Sequence, residues 1–202
     1  MARWDPGAAD RLRAAAVALF GERGFEHVSA AEISERAGLT RRTFFRYFAD
    51  KREVLFAGAE RLPAAVTEAV HEADPALSPL GTALHALRAV GVLIVEQVEP
   101  WQSRERRAVI AASPELQERE RTKLADCTAA LAEALRGRGV PADTADLHDR
   151  VGVAIMATAF ARWVERDGGA DFPSCFDEAV DEVTAEFSAG GDPPADRPAQ
   201  LR

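Results

Sequence analysis

Cysteine is scarce in this 202-residue chain: there are two, Cys127 and Cys175. They lie far apart and form no C-x-x-C, which argues against a disulfide framework or a cysteine-built zinc site and fits reduced, buried thiols. Aromatics are also few, with one tyrosine and three tryptophans. No run of about eighteen apolar residues occurs, and no charged-then-apolar leader opens the sequence. A membrane-spanning or secreted protein is therefore not expected, and a cytoplasmic one is. Catalytic signatures are missing too: no G-x-S-x-G elbow, no H-E-x-x-H and no glycine-rich phosphate loop. Glu68-x-x-His71 is half of a di-iron bundle motif without its second half, and His27, His85 and His148 have no partner spacing. The Glu68–His71 pair reads as a solvated helix face. No metal, cofactor or enzymatic activity is expected.

What the chain does have is alanine, leucine and arginine in long periodic runs, with glycine and proline falling between them. That is the profile of an all-α protein with room for a sizeable core. The net charge of −8 is unevenly divided. Residues 1–52 carry ten basic and seven acidic side chains, a net +3, whereas residues 53–202 carry fifteen and twenty-six, a net −11. A basic head on an acidic body concentrates attraction for a polyanion at one end.

The head is organised around the stretch from Ser29 to Lys51, SAAEISERAGLTRRTFFRYFADK. Ser29 and Glu32 make a capping box that starts one short helix, and Gly38 closes it. Thr40 caps the next helix, and Asp50 with Glu53 repeats the capping box for a third. In the middle helix Phe44 and Phe48 are four apart and face inward with Leu39. Arg41, Arg42, Phe45 and Arg46 point the other way. From Arg36 to Arg52 there are six basic residues against one acid, Asp50. Arginine forks on the exposed side of a short helix suit phosphates and guanine edges, so the stretch reads as a DNA-binding helix-turn-helix.

At Leu19, Phe20, Gly24, Phe25, Val28, Ser29, Ile33, Ala37, Gly38, Leu39, Thr40, Thr43, Phe44, Phe45, Tyr47, Phe48, Lys51, Glu53 and Leu55 the chain resembles the TetR-type transcriptional regulators. The resemblance covers about the first quarter. It implies a DNA-contacting set of Ser29, Thr40, Arg41, Arg42, Thr43, Phe45, Arg46, Tyr47 and Lys51. The family usually has tyrosine at the position of Phe45 and histidine at that of Tyr47, both reaching DNA phosphates. Phe45 has no donor to offer, and the hydroxyl of Tyr47 stands in for the missing contact. The string RRTFFRYF resembles, on fewer residues, a subgroup of mycofactocin-system regulators.

The rest of the chain divides into an arm (1–8), an amphipathic helix from Asp10 to Arg23, and a helix from Asp50 to Glu72 that joins head to body. Pro63 falls inside that connecting helix. It is either a kink that acts as a pivot or the start of a fresh helix. Further helices follow from Ser78, Trp101, Ser113, Asp143 and Pro173, with Leu116, Leu124, Cys127, Leu131 and Leu135 inward on the third of these. The domain reading is a helix-turn-helix head at 1–50, a helical body at 51–188 and a disordered tail at 189–202.

Two surfaces in the body are candidates for function. His85, Arg88, Trp101, Cys127, Met156, Phe160 and Trp163 combine sparse polar groups with apolar walls, as a pocket for a hydrophobic small-molecule effector would; the subgroup resemblance makes an acyl thioester conceivable. The rival reading is ordinary core. Val151, Ile155 and Thr158, with Phe176, Val180, Val183 and Phe187, are either intramolecular core or, as the resemblance implies, a two-fold four-helix dimer bundle. The expected protein is a dimeric, ligand-responsive regulator, more often a repressor, on a palindromic operator in double-stranded DNA, with no membrane partner. A helical interaction scaffold and a DNA-binding regulator without a ligand are the alternatives.

Overall fold

A computed structural model describes residues 7–96, 98, 100–167 and 169–189, with Pro100, Trp101, Phe187, Ser188 and Ala189 described by backbone alone. Among them there is no strand: the chain is all-α. The head holds α1 (Ala8–Arg23), α2 (Ala30–Arg36) and α3 (Arg41–Tyr47). The body holds α4 (Leu62–Glu72), α5 (Pro79–Val95), α6 (Pro100–Ala111), α7 (Pro114–Gly137), α8 (Ala142–Arg166) and α9 (Phe172–Ala189). No helix among the described residues is long and apolar enough to cross a membrane. The arm keeps only its last two residues in view, and α1 begins at the fully buried Ala8. Arg3 and the tail beyond Ala189 lie outside the described residues.

Two apolar cores hold the molecule. The head core gathers Leu12, Leu19, Phe20, Phe25, Val28, Ile33, Phe44 and Phe48. It also takes in Val54, Leu55 and Phe56, together with Val109 and Ile110 from α6 and Leu116 from α7. The head core thus draws on residues beyond position 50, and it is seated on the α6–α7 corner of the body. The body core lies between α4, α5, α7, α8 and α9, with α8 against both α5 and α9. Two close approaches fix that packing. A Cβ on Gly91 would meet the Phe172 ring at 2.2 Å, and one on Gly152 would meet Leu87 Cδ1 at 2.6 Å. A side chain at either position would force the Phe172 ring or Leu87 to move from its place between α5 and its neighbours.

The connection from head to body differs from the expected single helix. Asp50 Oδ1 accepts from the backbone N–H of Arg52 and Glu53, as a cap does. The Glu53 side chain, however, turns away to Arg119 and Lys123, so the reciprocal half of the box is not made. The segment then forms two 3₁₀ turns, Glu53–Leu55 and Ala59–Arg61, separated by Gly58 at φ 89°. That left-handed residue ends any continuous helix. Pro63 sits in the first turn of α4, where its missing N–H has no intrahelical partner to lose. It starts a helix and kinks nothing.

Smaller differences have local causes. Asp143 lies in the first turn of α8, and Pro141 precedes it at the cap position. Leu124 is exposed on α7 rather than inward. Cys175 is fully buried, and Cys127 only half.

Candidate nucleic-acid interface

The turn between α2 and α3 is built from local hydrogen bonds. Ser29 Oγ accepts from Glu32 N and donates to Glu32 Oε2 at 2.7 Å, while Ser29 N donates to the same carboxylate oxygen at 2.8 Å. These bonds, with Arg23 alongside, pull the Glu32 carboxyl down to about 2. At the other end of α2, Leu39 N donates to Ser34 O at 2.8 Å and Gly38 N to Glu35 O at 3.0 Å. With Gly38 at φ 68°, this is the Schellman closure, whose αL position favours glycine. Thr40 then caps α3, its Oγ1 accepting from Thr43 N at 3.2 Å and lying 3.0 Å from Thr43 Oγ1.

A seven-residue helix does not hold itself together in water. Phe44, 0% exposed, and the buried Phe48 anchor α3 in the head core, each worth about 1.5–3 kcal/mol of burial. Anchoring that face leaves Arg41, Arg42, Phe45 and Arg46 on the exposed side, with Thr43 and Tyr47 at the margin. Arg41 lies over the Phe45 ring at 5.4 Å from its centroid. Arg46 lies over the Tyr47 ring at 5.0 Å, its Nη2 donating to the Tyr47 hydroxyl at 3.4 Å.

Charge pairing separates these arginines from the rest of the basic cluster. Arg36 pairs with Glu22 at 2.6 Å, Arg23 with Glu32 at 2.8 Å, and Arg52 with Asp50 and Glu115. Among the described residues, Arg41, Arg42 and Arg46 have no carboxylate partner. Lys51 is engaged elsewhere: its Nζ donates to Phe25 O at 2.8 Å and Val28 O at 3.2 Å, and sits 4.1 Å from the centroid of the Phe25 ring. It ties the end of the helix-turn-helix back to the head. The Ser29 hydroxyl is likewise occupied by its capping box.

The residues expected to line a pocket are not brought together as a set. Arg88 forks onto Asp177 of α9 at 2.9 and 3.0 Å, and His85 is exposed on α5. Cys127 is half-buried on α7, and its surroundings push the thiol up, away from a reactive thiolate. The Trp101 side chain lies outside the described residues. Of the set, Met156, Phe160 and Trp163 lie together on α8, in or against the body core: the Phe160 and Trp163 rings are 5.4 Å apart, and Met156 reaches the Gly91 contact. Of the residues expected at a dimer face, Ile155 (4% exposed) and Phe176 (1%) are consumed by the chain's own core. Val151, Val180 and Val183 are half-buried, Thr158 is exposed, and the Phe187 side chain lies outside the described residues.

One structural feature beside the site has no sequence signal of its own: the joint between head and body. Arg106 of α6 donates from Nε to Leu55 O at 2.7 Å and lies over the Phe56 ring at 5.1 Å. Arg119 of α7 donates from Nε to Glu53 Oε1 at 2.6 Å.

Comparison with known proteins agrees with this arrangement. Residues 12–57 match the family model for bacterial regulatory proteins of the tetR family, and residues 77–188, more than half of the chain, match the MftR C-terminal domain. The chain is 27% identical over 173 residues to a protein of Mycobacterium tuberculosis named as a mycofactocin biosynthesis transcriptional regulator, MftR; the match spans 84% of this chain and 86% of the relative. Among solved structures it resembles NalD, the secondary repressor of the MexAB-OprM multidrug efflux pump in Pseudomonas aeruginosa. There the TM-score is 0.56 at 18% identity, over 89% of this chain and 96% of the other. It also resembles SmeT of Stenotrophomonas maltophilia in complex with triclosan, with a TM-score of 0.55 at 20% identity over 97% and 99%. At those identities the two structures speak for the fold alone. The helix-turn-helix head, the unpaired arginines of α3 and both family matches agree: the chain belongs to the TetR family of bacterial transcriptional regulators, as a DNA-binding protein and not an enzyme.

Proposed function

We propose that this regulator is a homodimeric repressor that holds a palindromic operator through its two α3 helices and releases it when a small apolar effector enters the body. The observation that carries the reading is the set of three α3 arginines, Arg41, Arg42 and Arg46, that have no carboxylate partner among the described residues. Glu22, Glu32 and Asp50 of the head are already paired with Arg36, Arg23 and Arg52. The α3 cations are left for an outside anion, and the DNA backbone with its guanine edges supplies one. Thr40, Thr43 and Tyr47 add polar contacts at the margin of the same face.

The dimer reading is supported by an apolar and small-residue stripe along α8. Leu147, Val151, Ala154 and Thr158 recur at spacings of four, three and four, and Leu147 is 59% exposed. Val180 and Val183 on α9 extend the same kind of surface. Two such helix pairs make a two-fold four-helix bundle, in which each copy offers the same patch. Effector entry would use the half-buried Met156 and Phe160 of α8, apolar side chains beside the core residue Trp163. Repression is supported by NalD, whose name describes a repressor.

Sedimentation with nuclease footprinting tests the reading. Two copies per duplex should protect a palindrome whose half-site centres are about 34–36 Å apart, or a multiple of that. A monomer that protects a single half-site would overturn it.

A further inference from the structure

We propose that Phe45 is a specificity-determining residue, whose ring contacts the 5-methyl group of a thymine in the major groove while holding Arg41 in position to read the neighbouring base. The proposal rests on the operator reading above and adds to it the identity of one base. Phe45 is 46% exposed, and it is the one large apolar side chain among the described head residues that water reaches to this extent. A lone exposed apolar residue ordinarily calls for no explanation. This one stands on α3 among Arg41, Arg42 and Arg46, which have no carboxylate partner among the described residues.

Its ring is also held in place. Phe44, anchored in the core, meets it edge-on with centroids 5.4 Å apart and planes at 77°. Arg41, one turn earlier, covers it at 5.4 Å. A ring fixed from below and from one side has lost most of its freedom before DNA arrives, so little further ordering cost falls on binding.

The chemistry then limits what the ring can meet. Phenylalanine has no hydrogen for a phosphate oxygen, and a charged backbone gives an apolar ring no favourable contact. In the major groove the apolar group presented by the standard bases is the thymine methyl. Stacking on the ring also orients the planar guanidinium of Arg41, which leaves its donor edge free for a bidentate contact with guanine. One helical turn carries both side chains, so the two bases read are neighbours.

The test uses the full-length protein. Selection from randomised duplexes provides the operator, and each thymine of the half-site is then replaced by deoxyuridine, which removes only the methyl group. Affinities are measured for the wild type, Phe45→Ala and Phe45→Tyr, with circular dichroism as a check on folding. At one position the wild type should lose about fourfold per half-site, the equivalent of one buried methyl group. Phe45→Ala should bind more weakly and treat thymine and deoxyuridine alike there, while Phe45→Tyr, which keeps the ring, retains the penalty. A selected motif without thymine, a wild type indifferent to every replacement, or an undiminished penalty in Phe45→Ala would each overturn the proposal and leave the operator reading intact. If no motif is enriched, both readings fall together.

Discussion

Asp149 shows how a single residue can work against its own fold. It is 4% exposed on α8, its Oδ1 has no hydrogen-bond partner among the described residues, and burial pushes its carboxyl above the ordinary value despite Arg150 and Arg136 nearby. A raised carboxyl favours the folded state when protonated. The penalty therefore sets in as pH rises through the unfolded value near 3.8 and is complete above the folded one. Asp149→Asn should raise stability at pH 7 by ~1 kcal/mol, with little gain at pH 3, in thermal melts at the two pH values. An equal gain at both would show that charge is not the cause. Sequence alone gives no hint of this residue, since nothing in the run LHDRVGV marks which side of the helix meets α5. Residue-scale features with local causes are different. The Ser29 capping box, the Thr40 cap and the left-handed Gly38 are all legible, because each needs partners only three to five residues away. The partners of Lys51 and Arg88 are not legible for the opposite reason: they lie 26 and 89 residues away along the chain.

Among the elements, the link between head and body is where periodicity misleads most. Apolar residues at helical spacing run from Val54 to Val70, and the pattern reads as one helix with a proline inside it. The structure places the break at Gly58 and a polar joint beside it, formed by Arg106 on Leu55 and Phe56 and by Arg119 on Glu53. The joint is illegible in sequence because its halves lie on separate elements, with hydrogen-bond partners 51 and 66 residues apart. Pro63→Ala should thus leave stability within about 0.5 kcal/mol, as for a substitution outside any packed feature. Arg106→Ala should cost about 1–3 kcal/mol, because it leaves the Leu55 carbonyl unpaired and uncovers the Phe56 ring. Chemical unfolding of both variants checks the contrast. A larger loss for Pro63→Ala would return the hinge to that residue.

For the whole molecule, the division of charge and the helix-turn-helix core are readable in the sequence, as is the all-α class, because each follows from composition and short-range pattern. The extent of the head is not. Val109, Ile110 and Leu116 complete its core from a distant part of the chain, so the head rests on the body through α6 and α7 as well as through the covalent link. A body that changes shape when an effector binds can then act on the head through this seat, provided the effector prefers one body conformation over the other. The proposed operator contact falls on one surface, the exposed face of α3. The most direct test is the affinity of the wild type, Arg41→Ala, Arg42→Ala and Arg46→Ala for the selected operator across a salt series. Replacing a base-reading arginine should cost about 1–3 kcal/mol and relax one position per half-site. Replacing a phosphate-binding one should weaken all sequences alike and flatten the salt slope by about 0.9 for each phosphate no longer neutralised. Wild-type affinity and slope in all three variants would contradict the account.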